Sequence, residues 1–226
     1  MSRSINLAIL YISLPYFLFA CAIMFDVEFS SVRISEWANL QTAATIGGGA
    51  IGGLVCVHIL VRWTQLSSFL RIRKQGELKF SSNLSRNGRK WSLLYGGMEA
   101  SGSLGMGVFV VTSVEEMFLF GLFHLLRASE IIVYLLFASR YFGVVMTDRN
   151  IAYLQRDARV IPLAEVKKVE PRHDELVFAS TQQTWKFPLG FLPDDTTEDF
   201  VEKVRLLTDK GIYVSDAVGK KLVKSY

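Results

Sequence analysis

The chain has 226 residues, of which 25 are basic and 21 acidic, so its formal net charge is +4. Half of the residues are hydrophobic while 20% are charged. These figures exclude a protein made only of membrane helices, which would carry fewer charges, and an ordinary soluble protein, which would carry more. The composition therefore predicts a chain divided between a membrane and water.

Four long apolar runs fill the chain up to about residue 140. An apolar run of about 20 residues can cross a bilayer as an α-helix. The predicted transmembrane helices cover residues 5–25, 43–61, 91–111 and 117–139. Residues 1–140 are therefore predicted to form a four-helix transmembrane domain.

The first apolar run has some features of a lipoprotein signal, whose cysteine is lipidated after cleavage. Arg3 precedes the run, which reaches Leu18-Phe19-Ala20-Cys21. The bulky Phe19 and the apolar residues after Cys21 favour an uncleaved transmembrane helix. Cys21 and Cys56 both lie within predicted helices, so they are interpreted as small apolar packing residues and predict no disulfide.

Lys and Arg are concentrated in one connection, and short cytoplasmic loops are enriched in these residues. The connection of residues 62–90 has a single acid, Glu77, and eight basic residues: Arg62, Arg71, Arg73, Lys74, Lys79, Arg86, Arg89 and Lys90. The first connection has the acids Asp26, Glu28 and Glu36 against Arg33, and the third has two acids and no basic residue. We therefore predict that residues 62–90, the N-terminus and the C-terminal region are cytoplasmic, and that the region around Ser31 is external.

Small residues recur at a spacing of four in the second and third predicted helices. In lipid, this spacing lets two helix backbones approach closely. The residues concerned are Gly47, Gly48, Gly49, Gly52 and Gly53 in the second helix, and Gly97, Ser101 and Gly105 in the third. They predict packing of the second helix against the third within one chain, and leave self-association of two copies as the alternative.

Five ionisable residues lie at membrane depth: His58, Glu99, His124, Arg127 and Glu130. A charge at the bilayer centre costs about 2.5–3.5 kcal/mol on insertion scales, so such residues usually face the bundle interior and have partners. We expect an ion pair of Arg127 with Glu99 or Glu130. The preferred interpretation is a satisfied network that fixes helix register, and the alternative is a proton or ion pathway or an intramembrane catalytic site. Because no catalytic or metal-ligand spacing accompanies these residues, we predict no catalytic residue, no metal and no cofactor.

The basic connection also has a helical period, with Leu66, Phe69, Leu70 and Arg73 between Trp63 and Trp91. Such an amphipathic segment suits the headgroup layer of a bilayer. The residues predicted to face the membrane surface are Arg71, Arg73, Lys74, Arg86, Arg89 and Lys90. Because the membrane accounts for this charge, no nucleic-acid site is predicted.

From residue 141 the hydrophobic period falls to two, which is typical of strands. Strands are predicted at residues 144–147, 151–154, 160–163, 165–169, 176–179 and 184–189. A helix follows, with its N-terminal cap at Thr196-Thr197-Glu198-Asp199 and its end at Gly211. Residues 141–210 are thus predicted to form a small α+β barrel or sandwich that is closed by a helix and folds on its own. The tail 211–226, with Lys220, Lys221 and Lys224, is predicted to be a flexible basic end, with a partner-binding segment as the alternative.

Two segments of this region resemble the bacterial pleckstrin-homology-like domains that follow transmembrane helices. Residues 145–153, VMTDRNIAY, are similar to the strand-turn-strand opening of that family, and residues 161–170, IPLAEVKKVE, are similar to its isoleucine-proline-leucine segment and the strand after it. The resemblance covers about residues 141–210. It implies a small barrel used for binding or assembly rather than catalysis. Phosphoinositide binding is not carried over, because the basic residues of this region are scattered among acids.

We therefore expect a bacterial inner-membrane protein whose four-helix anchor presents this module at the cytoplasmic face as a scaffold or assembly factor. Its expected partners are the lipid bilayer, other membrane or cytoplasmic proteins and a second copy. The alternative is a small transporter, a channel component or a membrane enzyme that uses the five ionisable residues.

Overall fold

A computed structural model describes residues 2–29, 32–33, 39–74, 77–215 and 217–220. The long helices are α1 (Ser2–Met24), α2 (Leu40–Lys74), α3 (Arg86–Ser113) and α4 (Phe118–Ala138). Strands β1 (Glu28–Phe29) and β2 (Val32–Arg33) form an antiparallel pair. The chain divides into two compact units, a helical unit of Met1–Thr64 with Leu94–Leu136 and a second unit of Gln65–Leu93 with Phe137–Tyr226.

Three helical stretches of the described residues are long and apolar enough to cross a membrane. They are Ser4–Met24, Leu40–Lys74 and Glu115–Tyr141, the last of which contains α4. Helix α3 has 28 residues and is long enough, but Glu99 and a series of glycines and serines lower its hydropathy. The prediction of long membrane helices is thus confirmed for three stretches.

Helix α2 is longer than predicted, since it ends at Lys74 rather than near residue 61. Arg62, Leu66 and Phe69 are each at most 1% exposed. Their spacing of three or four residues continues one buried side of the helix beyond the apolar run. The first part of the predicted cytoplasmic connection is therefore helix.

Glycines pack α2 against α1 and α4 rather than against α3. A Cβ at Gly47 would overlap the ring of Tyr16 on α1, and a Cβ at Gly52 would overlap the ring of Phe123 on α4. Gly48 also lies against α4. No described atom lies within 4 Å of a Cβ placed on the glycines Gly49, Gly53, Gly97 and Gly105. The predicted contact of the second and third helices through these residues is therefore wrong.

Helix α3 instead approaches α4. A Cβ at Gly107 would lie 2.7 Å from the side chain of Leu125, and a Cβ at Gly121 would lie 3.0 Å from the carbonyl oxygen of Gly107. Gly96 faces Leu135 in the same way. Ser101 is exposed. Helix α4 thus packs against both α2 and α3, because glycines on each of these two helices lie against it.

The second unit contains two four-stranded sheets. One has the order β3 (Phe80–Asn83), β4 (Gly143–Met146), β5 (Asn150–Leu154) and β6 (Ala158–Pro162), with every pair antiparallel. The other has β10 (Tyr213–Val214), β7 (Lys168–Arg172), β8 (Glu175–Ala179) and β9 (Thr184–Pro188), in which β10 is parallel to β7. Helix α5 (Asp194–Arg205) follows β9, and the short helix α6 (Ala217–Lys220) follows β10.

Aromatic rings of both sheets meet at α5. The ring of Phe200 on α5 lies 5.1 Å from Phe80 of β3 and 4.9 Å from Phe187 of β9. The ring of Tyr153 on β5 lies 5.3 Å from Phe187. These buried rings form the centre of the second unit, so α5 and both sheets share one apolar core.

The second unit differs from the predicted domain in its boundaries. Strand β3 comes from the connection before α3 and pairs with β4, so the unit draws on residues far from the segment 141–210. Residues Leu163–Glu165 form a 3-10 turn, and β7 begins only at Lys168. Helix α5 begins at Asp194 after Pro193, whose φ of −61° suits a helix start.

The described part of the C-terminal tail forms strand β10, which pairs with β7, and helix α6, and Gly211 ends the preceding turn with a φ of 76°. Lys221 and Lys224 lie outside the described residues. So do Ser31 and Glu36, on which part of the predicted orientation depends.

A buried ion-pair network as candidate functional site

The polar side chains of the helical unit come from all four long helices. His58, Arg62 and Trp63 lie on α2, Glu99 lies on α3, and Asn6 and Ser13 lie on α1. His124, Arg127 and Glu130 lie on α4 at intervals of three residues, which places them on one face of that helix.

Arg127 forms an ion pair with Glu99. The Arg127 Nη2 atom donates to Glu99 Oε1 at 2.7 Å and also to the side-chain oxygen of Asn6. The side chains of Arg127 and Glu99 are 7% and 12% exposed. This contact joins α1, α3 and α4, so one guanidinium links three helices.

Arg62 forms a second ion pair, with Glu130. Its Nη1 atom donates to Glu130 Oε2 at 3.2 Å, and the indole Nε1 of Trp63 donates to Glu130 Oε1 at 3.0 Å. Both carboxylate oxygens of Glu130 are therefore hydrogen-bonded. The guanidinium of Arg62 also lies 4.5 Å from the centre of the Tyr134 ring, a cation–π geometry.

The two pairs meet at Glu99. Arg62 Nη2 lies 3.9 Å from Glu99 Oε2, so Arg62 faces both carboxylates. Two guanidinium groups and two carboxylates together have no net charge when all are ionised. A buried pair of this kind is close to neutral for stability, whereas removing one partner costs about 3–5 kcal/mol because it leaves an uncompensated charge. The network therefore stabilises one arrangement of the four helices against any that would separate the partners.

The histidines lie beside the ion pairs. His124 Nε2 hydrogen-bonds with Ser13 Oγ at 3.2 Å, and its ring meets Phe120 edge-on at 4.6 Å. Within the described residues, His124 makes no hydrogen bond to either carboxylate. His58 is 1% exposed and lies one turn before Arg62 on α2. Three residues of the predicted cluster of five, Glu99, Arg127 and Glu130, thus belong to the charged network, and His124 lies beside it on Ser13 and Phe120.

Four members of the polar set were missed by sequence reasoning: Asn6, Ser13, Arg62 and Trp63. Arg62 and Trp63 were assigned to a cytoplasmic connection because the apolar run ends at Val61. The period of Arg62, Leu66 and Phe69 is the signal that could have placed Arg62 in the bundle. Asn6 and Ser13 carry no charge, so nothing in a single sequence separates them from ordinary polar residues of a helix.

The chemistry open to this site is limited by its contacts. Among the described residues, no group of three His, Cys, Asp or Glu side chains is placed to hold a metal ion. Each carboxylate oxygen of Glu99 and Glu130 has a cationic group or a hydrogen-bond donor within 3.9 Å. These contacts hold both Glu side chains in fixed positions.

The predicted membrane-surface cations lie in the second unit and fall into two groups. Arg73 donates to the carbonyl oxygen of Tyr141 at 3.0 Å, and Arg89 donates to that of Ser139 at 3.0 Å. Both therefore bind carbonyls just after the end of α4, where cations are favourable. The other four, Arg71, Lys74, Arg86 and Lys90, are exposed.

A comparison of this chain with protein-family models, curated proteins and solved structures finds no match. Its function is therefore inferred from its own residues.

Proposed function

We propose that this chain is a membrane-anchored assembly protein, in which four transmembrane helices hold a small β-rich binding module at the cytoplasmic face of a bacterial inner membrane. The observation that carries this proposal is the charge balance of the buried network, in which Arg62 and Arg127 face Glu99 and Glu130. A network whose charges balance one another suits an anchor. Function then falls to the module rather than to the helices.

The pairing of β3 with β4 supports a fourth membrane span. Strand β3 precedes α3 and β4 follows α4, yet Phe80 pairs with Met146 and Asn83 with Gly143 in one sheet. Both strands must lie on the same side of a bilayer, so the chain between them crosses it an even number of times. With the stretch containing α4 as one span, an even number of crossings makes α3 the other. Its Glu99 is tolerated because Arg127 neutralises it.

The distribution of basic residues supports the orientation. Residues 71–90, from the last turn of α2 to the first turns of α3, hold seven Lys and Arg side chains against the single acid Glu77, while the turn after α3 holds Glu115 and Glu116. The N-terminus and the second unit are thus cytoplasmic in this proposal.

The resemblance of residues 145–153 and 161–170 to pleckstrin-homology-like domains supports a binding role for the module. Two antiparallel β-meanders and a following helix that shares their core suit such a small barrel. On this proposal the module recognises another membrane or cytoplasmic protein, or a second copy of the chain.

A double-mutant cycle with an ion-flux measurement tests the proposal. Arg127→Leu alone should lower the stability of the full chain in detergent by about 3–5 kcal/mol, because it removes the closest cation from the buried Glu99 and leaves one guanidinium against two carboxylates. Adding Glu99→Leu should restore most of that loss, and the double variant should still complement a deletion strain. The matched control is Arg172→Leu, which removes an exposed cation outside the network.

Transport is the competing function, and the same variants separate the two. If proteoliposomes of the native chain conduct protons or ions and the stable double variant does not, the polar residues form a pathway and the anchor role is wrong. A double variant that folds but fails to complement would lead to the same conclusion.

A further inference from the structure

The ends of three helices present exposed cations within the second unit. Arg73 of α2 and Arg89 of α3 both bind carbonyls after α4, which brings the three helix ends together. Around this junction five cationic side chains are exposed: Arg71 and Lys74 on α2, Arg86 and Lys90 on α3, and Arg140 after α4. We name these five residues the helix-end cations.

The helix-end cations lack compensating charge. None of the five has an ion-pair partner among the described residues. Arg86 and Lys90 are four residues apart on α3, a spacing at which like charges repel each other. The only acid in residues 62–90 is Glu77. An anionic ligand would relieve this repulsion.

Exposed apolar side chains adjoin the cations on two of these helices. Leu93 is 44% exposed one turn after Lys90, and Phe137 is 42% exposed three residues before Arg140. Trp91, 44% exposed, lies beside Lys90. An exposed surface that changes from Leu and Phe to Lys and Arg, with Trp at the change, is typical of the boundary between the hydrocarbon and the headgroups.

We propose that the helix-end cations bind the phosphate groups of anionic phospholipids in the leaflet that borders the second unit. Lipid acyl chains would cover Leu93 and Phe137 while the headgroup phosphate contacts Lys90, Arg86 or Arg140. The bound lipid holds the three helix ends at the membrane surface. This inference rests on the proposed membrane placement, which topology labelling tests separately, and it is independent of the assembly role.

The test is the binding of phosphatidylglycerol to the full chain in a neutral detergent, measured by native mass spectrometry and by the shift in unfolding temperature. Each cation near an anionic surface contributes about fivefold in affinity, so Arg86→Gln with Lys90→Gln should weaken binding by about 25-fold. The matched control is Lys167→Gln with Arg172→Gln, which removes the same charge from exposed positions of the module. A second variant, Arg71→Gln with Arg140→Gln, should weaken binding even if the first fails to fold.

Phosphatidylcholine and inorganic phosphate complete the test. We expect neither to give the shift that phosphatidylglycerol gives. Equal binding of phosphatidylcholine would mean that the surface does not select for charge, and an equal effect of inorganic phosphate would mean that no lipid is required. Equal losses of phosphatidylglycerol binding in the helix-end and control variants would mean that binding depends only on the net charge of the protein. Each of these results overturns the proposal.

Discussion

Trp63 offers the most selective change at the ion-pair network. Its indole nitrogen donates to Glu130 Oε1 at 3.0 Å, and its ring meets Tyr134 edge-on at 5.6 Å. Trp63→Phe keeps an aromatic ring but removes the donor from a buried carboxylate. We expect the free energy of unfolding in detergent to fall by about 1.5–3 kcal/mol, the value of a hydrogen bond to a charged group. Trp185→Phe is the control, because that indole makes no hydrogen bond within the described residues; equal losses in both variants would contradict the assigned contact.

Tyr153 gives the second unit a measurable pH dependence. Its hydroxyl donates to the carbonyl oxygen of Lys186 at 2.9 Å, and burial raises the pKa of Tyr153 above its usual 10.0, although Arg159 opposes the shift. Since the folded pKa lies above the unfolded one, the stabilisation by the neutral phenol is complete below about pH 10 and is lost as the pH rises through the folded pKa. From about pH 10 upward, the native chain should therefore lose stability more steeply than Tyr153→Phe. Parallel stability curves for the two proteins would show that Tyr153 is not the group responsible.

The residues of the site could be predicted from the sequence only where a charged residue interrupts an apolar run. Glu99 and Arg127 stand out because a charge inside an apolar run demands a partner, and the structure pairs them at 2.7 Å. Arg62 did not stand out, because it lies where the apolar run gives way to polar sequence. Its burial depends on the length of α2, which is set by packing against other helices rather than by hydropathy.

At the scale of elements, β3 is, like β1, β2 and β10, a strand that the sequence analysis did not predict. Its four residues, Phe80–Asn83, include one large apolar side chain, too short a pattern to separate a strand from a loop. Its pairing with β4 depends on Gly143, because a Cβ there would lie 2.5 Å from the carbonyl oxygen of Ser82. Short strands joined by tight turns were easier to predict between residues 144 and 189, where apolar and polar residues alternate.

This close approach makes Gly143 a test of the β3–β4 pairing. Gly143→Ala should push β3 away from β4 and lower the free energy of unfolding by about 1–3 kcal/mol, the usual cost of overpacking. Gly190→Ala is the matched control, since no described atom lies within 4 Å of a Cβ at that position. Thermal unfolding of the full chain in detergent measures both. A neutral Gly143→Ala would mean that β3 does not lie against β4 as described.

At the scale of the whole molecule, hydropathy and strand pairing give different counts of membrane spans. Three described stretches are apolar enough to cross a bilayer, whereas the proposed placement, in which α4 is one span, makes α3 a span too, because the sheet joins β3 to β4. Hydropathy is calculated for each helix separately, so it does not take into account that Glu99 has a partner on α4. The pairing of strands far apart in the sequence supplies the missing constraint, because both must be on one side of the membrane.

Labelling of single cysteines in intact cells decides between these counts. With Cys21→Ala and Cys56→Ala as the background and labelling control, a membrane-impermeant maleimide should reach Ser113→Cys, at the last residue of α3, from outside. It should reach Glu77→Cys and Arg149→Cys only after permeabilisation, because both positions are exposed and lie in the cytoplasm in the proposed orientation. If Glu77→Cys and Arg149→Cys were accessible from opposite sides, α3 would not cross, and β3 could not pair with β4. If both were labelled from outside, four spans would stand but the orientation inferred from Lys and Arg would be reversed.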